Sequence, residues 1–393
     1  MKNFDCVVVG GGMVGAASAI SLAQLGLTVA IVEQQIPTQY LPEQSLDLRV
    51  SAISLATEQL LTELGAWQQI QAWRCCPYQR LGVWEQALSY TEFNAQDIGK
   101  THLGHIIENR LIQLSLWQAA KQHANITFYT PDTLQGIHQH LDHVELTLSQ
   151  EKISAKLLIA ADGANSKVRK LVGIGVTGWD YQQSALLVNV ETQATQENIT
   201  WQQFFESGPV AMLPMPGKSD LGGYASLVWY HHRDEIKRLS SLNNNQLHQE
   251  ITQAFPERLG KIKVIDKGAF PLTRRHANQY HKNSVLLLGD AAHSINPMAG
   301  QGVNLGFKDI KALSRIIETA VSKGECWHDQ QVLMSYQKLR RADNLLMMST
   351  MDALYGTFSH PSPLIKAVRN VGLKLANKLP YLKNKALAYA CGI

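Results

Sequence analysis

The sequence predicts an α/β fold in which a parallel-sheet domain is interleaved with an antiparallel-sheet domain and followed by a helical C-terminal segment. Three observations predict it. An apolar run at residues 6–9 leads through glycines into a helical pattern at 16–25 and a second apolar run at 29–32. Two later apolar runs, 155–160 and 284–288, close on Asp162-Gly163 and Gly289-Asp290. Between them, residues 184–270 alternate in hydrophobicity and carry aromatic residues and prolines. Short continuous apolar runs mark strands buried on both faces of a parallel sheet, whereas alternation marks a sheet with one open face. With 393 residues the chain has room for two units, because single cores stop growing below about 300 residues.

The first 33 residues read as one βαβ unit. Gly10-Gly11-Gly12-Met13-Val14-Gly15 fits G-x-G-x-x-G, directly after a strand and directly before a helix. Gly10 allows the tight turn, Gly12 lets the backbone approach a pyrophosphate, and Gly15 lets helix and strand pack closely. Met13 and Val14, inside the motif, lead into the helix, whose free N-terminal N–H groups and dipole favour an anion. Gly26 stops the helix. Glu33 follows Gly15 by 18 residues and ends the second strand, where a carboxylate binds ribose hydroxyls. The pattern predicts a Rossmann-like dinucleotide site without deciding between FAD and NAD.

Composition narrows the rest. Hydrophobic residues are 45% and charged residues 17%, as in a folded globular protein. A net charge of +4 is too small to point to nucleic acid, so no nucleic-acid partner is expected. Residues 361–393 hold six basic and no acidic residues, so this tail carries +6 and the remainder −2. It reads either as a helix packed on the dinucleotide domain or as one lying on a membrane surface. The five cysteines (Cys6, Cys75, Cys76, Cys326, Cys391) are odd in number, and their only close pair is adjacent. That suits neither a disulfide framework nor a zinc site; no metal is expected, and the setting expected is reducing and cytoplasmic. The N-terminal run ends in glycines and reads as a strand, not a signal peptide. No run approaches the roughly 20 apolar residues that span a bilayer, so a soluble chain, or one peripheral at the inner membrane face, is expected.

Two later segments carry a resemblance. LIAADGANSKVR at 158–169, with Asp162, and VLLLGDAAHSINPMAGQGVN at 285–304 are similar to the Asp-Gly and Gly-Asp segments of flavoprotein hydroxylases. Together with the glycine turn, and separated by a sheet-like insert, they resemble the p-hydroxybenzoate hydroxylase superfamily. Over essentially the whole chain the sequence also resembles the hydroxylases of ubiquinone biosynthesis. The stretches behind that are RVSAIS at 49–54, CPY at 76–78, WQQF at 201–204, ASLVWY at 225–230, GAFPLTRRH at 268–276 and MDALY at 351–355.

The resemblance implies FAD as cofactor and NAD(P)H and O₂ as co-substrates. It implies a polyprenylated methoxy-methyl-benzoquinol as substrate, hydroxylated through a C4a-hydroperoxide of the flavin. Membrane-surface contact and a multi-enzyme complex follow as possible associations. Asp290, at a strand's carboxyl end, is placed to accept a hydrogen bond from a ribityl hydroxyl. Gly300 and Gly302 open a helix, with Val303 next, whose positive end stabilises the flavin edge that becomes anionic on reduction. By the resemblance, Arg49 and Arg110 lie near the FAD diphosphate and ribityl chain. Pro297 turns its carbonyl toward the flavin, and Asn304 lies near the pyrimidine ring.

The expected division is an FAD-binding domain of residues 1–75, 101–183 and 281–340. A substrate domain takes 76–100 and 184–280, and 341–393 form a basic helical segment. His293 and His276 read as scaffold rather than catalysts. Trp201, Phe204, Phe205, Trp229 and Tyr230 are candidates to line a ring cavity, but none is assigned to it. Another ring hydroxylase of the same pathway is the main alternative. A prenyl reductase and a redox-silent FAD-fold scaffold are the weaker ones, and the Trp-x-Trp-x-Ile-Pro pattern of flavin halogenases is absent.

Overall fold

The computed structural model describes residues 1–193, 198–295, 300, 302–358, 362, 366, 369–370 and 379–393, and three sheets organise them. In the first, β1 (Lys2–Val9) lies between β2 (Val29–Val32) and β11 (Lys152–Ala160). Beyond these lie β8 (Ile126–Tyr129) on one side and β18 (Val285–Leu287) on the other. These five strands run parallel. Antiparallel additions are β17 (His281–Lys282) on β18, and a ribbon of β9 (Leu134–Gln139) and β10 (Val144–Leu148) on β11.

The register decides where chemistry can occur. Val9 pairs with both Val32 and Ala160, and Ala160 pairs with Leu287. The carboxyl ends of β1, β2, β11 and β18 therefore form one row. Gly10, Glu33, Asp162 and Asp290 all emerge at that edge, the end of an open parallel sheet where ligands bind. Helices α1 (Met13–Gln24), α4 (Asn109–Ala120) and α8 (Gly302–Ser322) bury Ile20, Leu22, Leu111, Ile112, Phe307 and Ile310 in the core of this sheet.

The second sheet runs β19-β16-β12-β15-β14-β13-β5-β6. Its long strands are β12 (Val176–Thr192), β15 (Gly223–His232) and β16 (Ile262–Ala277). The shorter ones are β5 (Arg80–Trp84), β6 (Thr91–Asn94), β13 (Ile199–Gln203), β14 (Val210–Met215) and β19 (His293–Ser294). Most pairs are antiparallel, as alternation predicts; β13 and β5 pair parallel. The third sheet joins β3 (Val50–Ser54), β7 (Gly104–Glu108) and β4 (Cys76–Tyr78), and α2 (Leu55–Glu63) and α3 (Trp67–Trp73) lie between β3 and β4 in the chain.

One stretch read as sheet is helical. Residues 233–254 form α6 (Arg233–Ser241) and α7 (Asn244–Ala254), because Ile236, Leu239, Leu247 and Ile251 recur at three- and four-residue spacing. These helices cover one face of the second sheet. After α8 the chain continues as α9 (Gln330–Phe358) and α10 (Pro380–Cys391).

The described residues of the basic tail pack against the second sheet's edge as well as against α8. Arg369 is buried in an ion pair with Glu85, Lys366 lies 3.5 Å from Glu206, and Lys383 lies 3.4 Å from Asp97. Leu387 and Cys391 of α10 pack with Ala95, Leu103 and Leu55, so α10 ties the end of β6 to the segment before β7 and to α2. No helix among the described residues is long and apolar enough to cross a membrane.

Candidate active site

The glycine turn is built as its spacing requires. Gly10 sits at φ +104°, and a Cβ there would lie 2.4 Å from the Ala161 carbonyl oxygen. A Cβ on Gly15 would lie 1.8 Å from the Gly10 oxygen. Gly12 is different: a Cβ there would meet no protein atom within 4 Å, so the concave side of the turn is open. The first turn of α1 contains no acidic residue and its N-cap, Gly12, has no capping side chain, which leaves its N–H groups and dipole to an anion.

Glu33 accepts hydrogen bonds from the Gly11 N–H at 2.6 Å and the Gln35 N–H at 2.9 Å. A carboxylate has about four acceptor positions, so two remain for hydroxyl groups. The loop is also tied from behind by side chains the sequence did not single out. Gln113 Nε2 and Trp117 Nε1, both on α4, donate to the Gly11 carbonyl at 2.8 and 2.7 Å.

The three turns meet. Leu288 N–H donates to the Ala160 carbonyl at 2.9 Å, and Arg169 in α5 (Lys167–Leu171) donates to the Ala291 carbonyl at 2.7 Å. Val14 fills the space that side chains at Gly289 and Gly306 would take: Cβ atoms built there would lie 3.2 and 2.6 Å from its Cγ2. Asp162 accepts from the Val168 N–H with one oxygen, while its other oxygen, Oδ1, is buried without a partner among the described residues. Such an atom costs stability unless something else supplies a donor.

Asp290 opens to the cleft yet lies deep among protein atoms. Burial pushes its carboxyl above the usual carboxylate range, with His293 and Arg49 drawing it back and Asp309 adding to the rise. The exposed Arg49 makes no ion pair among the described residues and sits close enough to act on Asp290. Arg110 is engaged: it forms a two-pronged pair with Asp47 at 2.9 and 3.0 Å and donates to the Thr38 and Gln39 carbonyls. Gly300, at φ +62°, approaches Ala52, and Gly302 begins α8 with Val303 half-buried in its first turn. Asn304 is buried and fully occupied as a clamp: it accepts from Ser54 N–H and Thr57 Oγ1 and donates to the Ala52 and Gly300 carbonyls. Pro297 lies outside the described residues.

Behind the Gly289–Asp290 turn is a buried polar network that sequence reading missed. Asp309 of α8 accepts from the Gly289 N–H at 3.0 Å, lies 2.6 Å from His293 Nε2 and 2.7 Å from Arg340 Nε, and meets Asn344 Nδ2 at 3.2 Å. Burial alone would raise the Asp309 carboxyl, but His293 and Arg340 outweigh it and hold it down at about 2. Asn344 continues to Tyr280, whose hydroxyl pairs with His276 at 2.9 Å. His293 and His276 are thus both buried parts of the scaffold.

An apolar wall faces these turns. Strand alternation sends Trp201 and Trp229 to the α6–α7 side, where both pack against Phe255. Tyr230, Val228 and Ala211 point the other way, with half-buried Leu187, Leu213, Phe270 and the α9 residue Tyr355. Through Leu213 the wall continues to Met215 and Ala52, the residue Gly300 touches. Arg274, paired with Asp352 at 2.7 Å and stacked over Trp179, fixes α9 against β16. An apolar wall beside an open glycine turn, an orphaned carboxylate oxygen and an unpaired arginine together suit a flavin dinucleotide with an aromatic ring against it.

Residues 3–348 match the FAD binding domain family. The chain is 45% identical over 390 residues to the 3-demethoxyubiquinol 3-hydroxylase of Escherichia coli (strain K12), covering 99% of this chain and 98% of that one. It is 31% identical over 393 residues to the ubiquinone hydroxylase UbiL of Rhodospirillum rubrum, covering 100% and 90%. Its fold matches that of p-nitrophenol 4-monooxygenase PnpA from Pseudomonas putida DLL-E4, with a TM-score of 0.81 at 20% identity over 98% and 97% of the two chains.

Proposed function

This chain belongs to the FAD binding domain family and, within it, to the ubiquinone-pathway hydroxylases, and from that premise we propose that it hydroxylates the ring of a polyprenylated methoxy-methyl-benzoquinol. The observation that carries the proposal is the convergence of the three turns on one sheet edge opposite an apolar wall. Bound FAD supplies the redox chemistry that links NAD(P)H to O₂. The protein's part is binding, orientation and the exclusion of water. Glu33 takes ribose hydroxyls with its free acceptor positions, and Asp162 Oδ1 and Asp290 accept from hydroxyls further along the cofactor. Arg49 offsets phosphate charge, and the N-terminus of α8 stabilises negative charge on the flavin edge. Leu187, Leu213, Phe270 and Tyr355 hold the electron-rich ring and keep water from it.

Purified protein supplied with FAD, NADPH, O₂ and a short-chain benzoquinol analogue should consume O₂ and add one hydroxyl to the ring. NADPH consumption without O₂ uptake, or H₂O₂ release with the ring untouched, would rule out the assignment. In cells lacking the protein, the accumulating quinone should be one ring hydroxyl short of the next intermediate.

The protein is also proposed to work at a membrane surface. The outer face of α10 exposes Tyr381, Leu382, Lys385 and Tyr389, an interfacial mixture of aromatic, apolar and basic groups. Replacing Tyr381 and Leu382 by Ser should lower association with anionic vesicles at unchanged flavin content. Equal binding by variant and parent would remove this part of the proposal.

A further inference from the structure

A group of side chains away from the cleft has the donor set of a metal site. Glu58 lies in the first turn of α2, His105 lies in β7, and His102 lies in the loop before β7. One oxygen, Glu58 Oε2, lies 2.7 Å from His102 Nε2 and 3.2 Å from His105 Nδ1, and the three donors all fall within 4.8 Å of one another. His105 is 6% exposed, and its Nδ1, 3.2 Å from Glu58 Oε2, makes no well-aligned hydrogen bond among the described residues. The outer contacts are also those of a built site. Thr101 Oγ1 bonds His102 Nδ1 at 2.9 Å, which turns Nε2 inward, and Trp67 packs edge-on against His105 at 4.9 Å.

We propose that Glu58, His102 and His105 bind a borderline divalent transition ion, Zn²⁺ in the first place. Two imidazoles and one carboxylate are the ligands of open zinc sites, with water in the fourth position. Metal–donor lengths of about 2.1 Å in a tetrahedron separate donors by about 3.4 Å, so the present spacings need only small side-chain rotations. His102 and Glu58 are each about one-fifth exposed, which leaves an entry path. The ion joins α2 to the loop that α10 packs against, and it sits beside Thr57, the residue that helps hold Asn304 at the start of α8. Its role in this place is to lock that junction, separate from ring hydroxylation.

The test uses FAD-loaded protein stripped of metal and dialysed against micromolar Zn²⁺, with metal analysis and thermal unfolding as readouts. The expected result is one retained Zn²⁺ per chain that the variants below remove, and a raised unfolding midpoint. Glu58→Gln and His102→Ala, both at partly exposed positions, should each weaken retention at least about tenfold while flavin content stays at the parent level. The double substitution His140→Ala and His143→Ala removes the other His/Glu group, on the β9–β10 ribbon, and should leave retention unchanged. The proposal is overturned if no Zn²⁺ is retained, if both Glu58→Gln and His102→Ala retain it as the parent does, or if the ribbon substitutions abolish it. Should one variant lose its flavin, the other decides.

Discussion

Asp290 and Asp309 lie 19 positions apart on either side of the same turn, yet their surroundings drive them in opposite directions. Asp290 faces the cleft, and burial, with no hydrogen-bond donor to it among the described residues, pushes its carboxyl up. Asp309 is sealed behind the turn and buried more completely, but Arg340, His293, Asn344 and the Gly289 N–H hold it down at about 2. Burial alone therefore decides nothing; the donors around a carboxylate do. One carboxylate stays open at the cleft, and the other is spent on holding the turn that presents it.

The largest test of this contrast is Arg340→Ala. It strands Asp309 as a buried, partly unpaired charge, so unfolding free energy should fall by about 3–5 kcal/mol, measured by denaturant titration with FAD in excess. A loss under about 1 kcal/mol would mean that the network is not what secures the turn. Asp290→Ala should do the reverse: fold stability is kept, while FAD affinity drops about 10- to 100-fold, the value of one hydrogen bond to a charged group. Flavin fluorescence on titration reads this directly, and an unchanged Kd would take Asp290 out of the cofactor site.

A third effect is in pH dependence and shows only below neutral pH. His276 has its pKa lowered from 6.5 to about 4, first by burial and then by Arg341, His293 and Arg274. The unfolded chain binds the proton that the fold refuses, so stability is lost as pH falls from 6.5 toward 4. For Asp309 the stabilisation is present above its unfolded value of 3.8 and is lost only as pH falls through about 2. Asp290, being raised, contributes with the opposite sign: protonation favours the cofactor-free fold, and that contribution fades as pH rises. His276→Gln should flatten the stability profile between pH 6.5 and 4. A profile as steep as the parent's would remove His276 as its source.

What the sequence made legible was local. The Gly10–Gly15 turn, Glu33 and the Asp162 and Asp290 loops each declare themselves within a few residues, because strand, glycine and carboxylate are adjacent in the chain. The network behind Asp290 is long-range: Asp309, Arg340 and Asn344 sit on helices whose polar residues look in sequence like a solvated face. The same applies to Arg369, whose partner Glu85 lies 284 residues away. Asn304 was visible as a residue at the head of α8, but nothing local shows that its amide clamps Ser54 and Thr57. In 233–254 the three- and four-residue spacing of Ile236 through Ile251 was the available signal for helices, and the aromatic alternation around it masked that signal.

The shared row of strand ends has a consequence for how the protein is made. β1 is made well before β18, the strand that completes its row. A nascent chain lacks the full row until β18 and the start of α8 have emerged. A product cut short before β18 leaves the Leu158–Ala160 end of β11 without its β18 partner, while β10 still covers the start of the strand, and that exposed end invites intermolecular strand pairing and clearance.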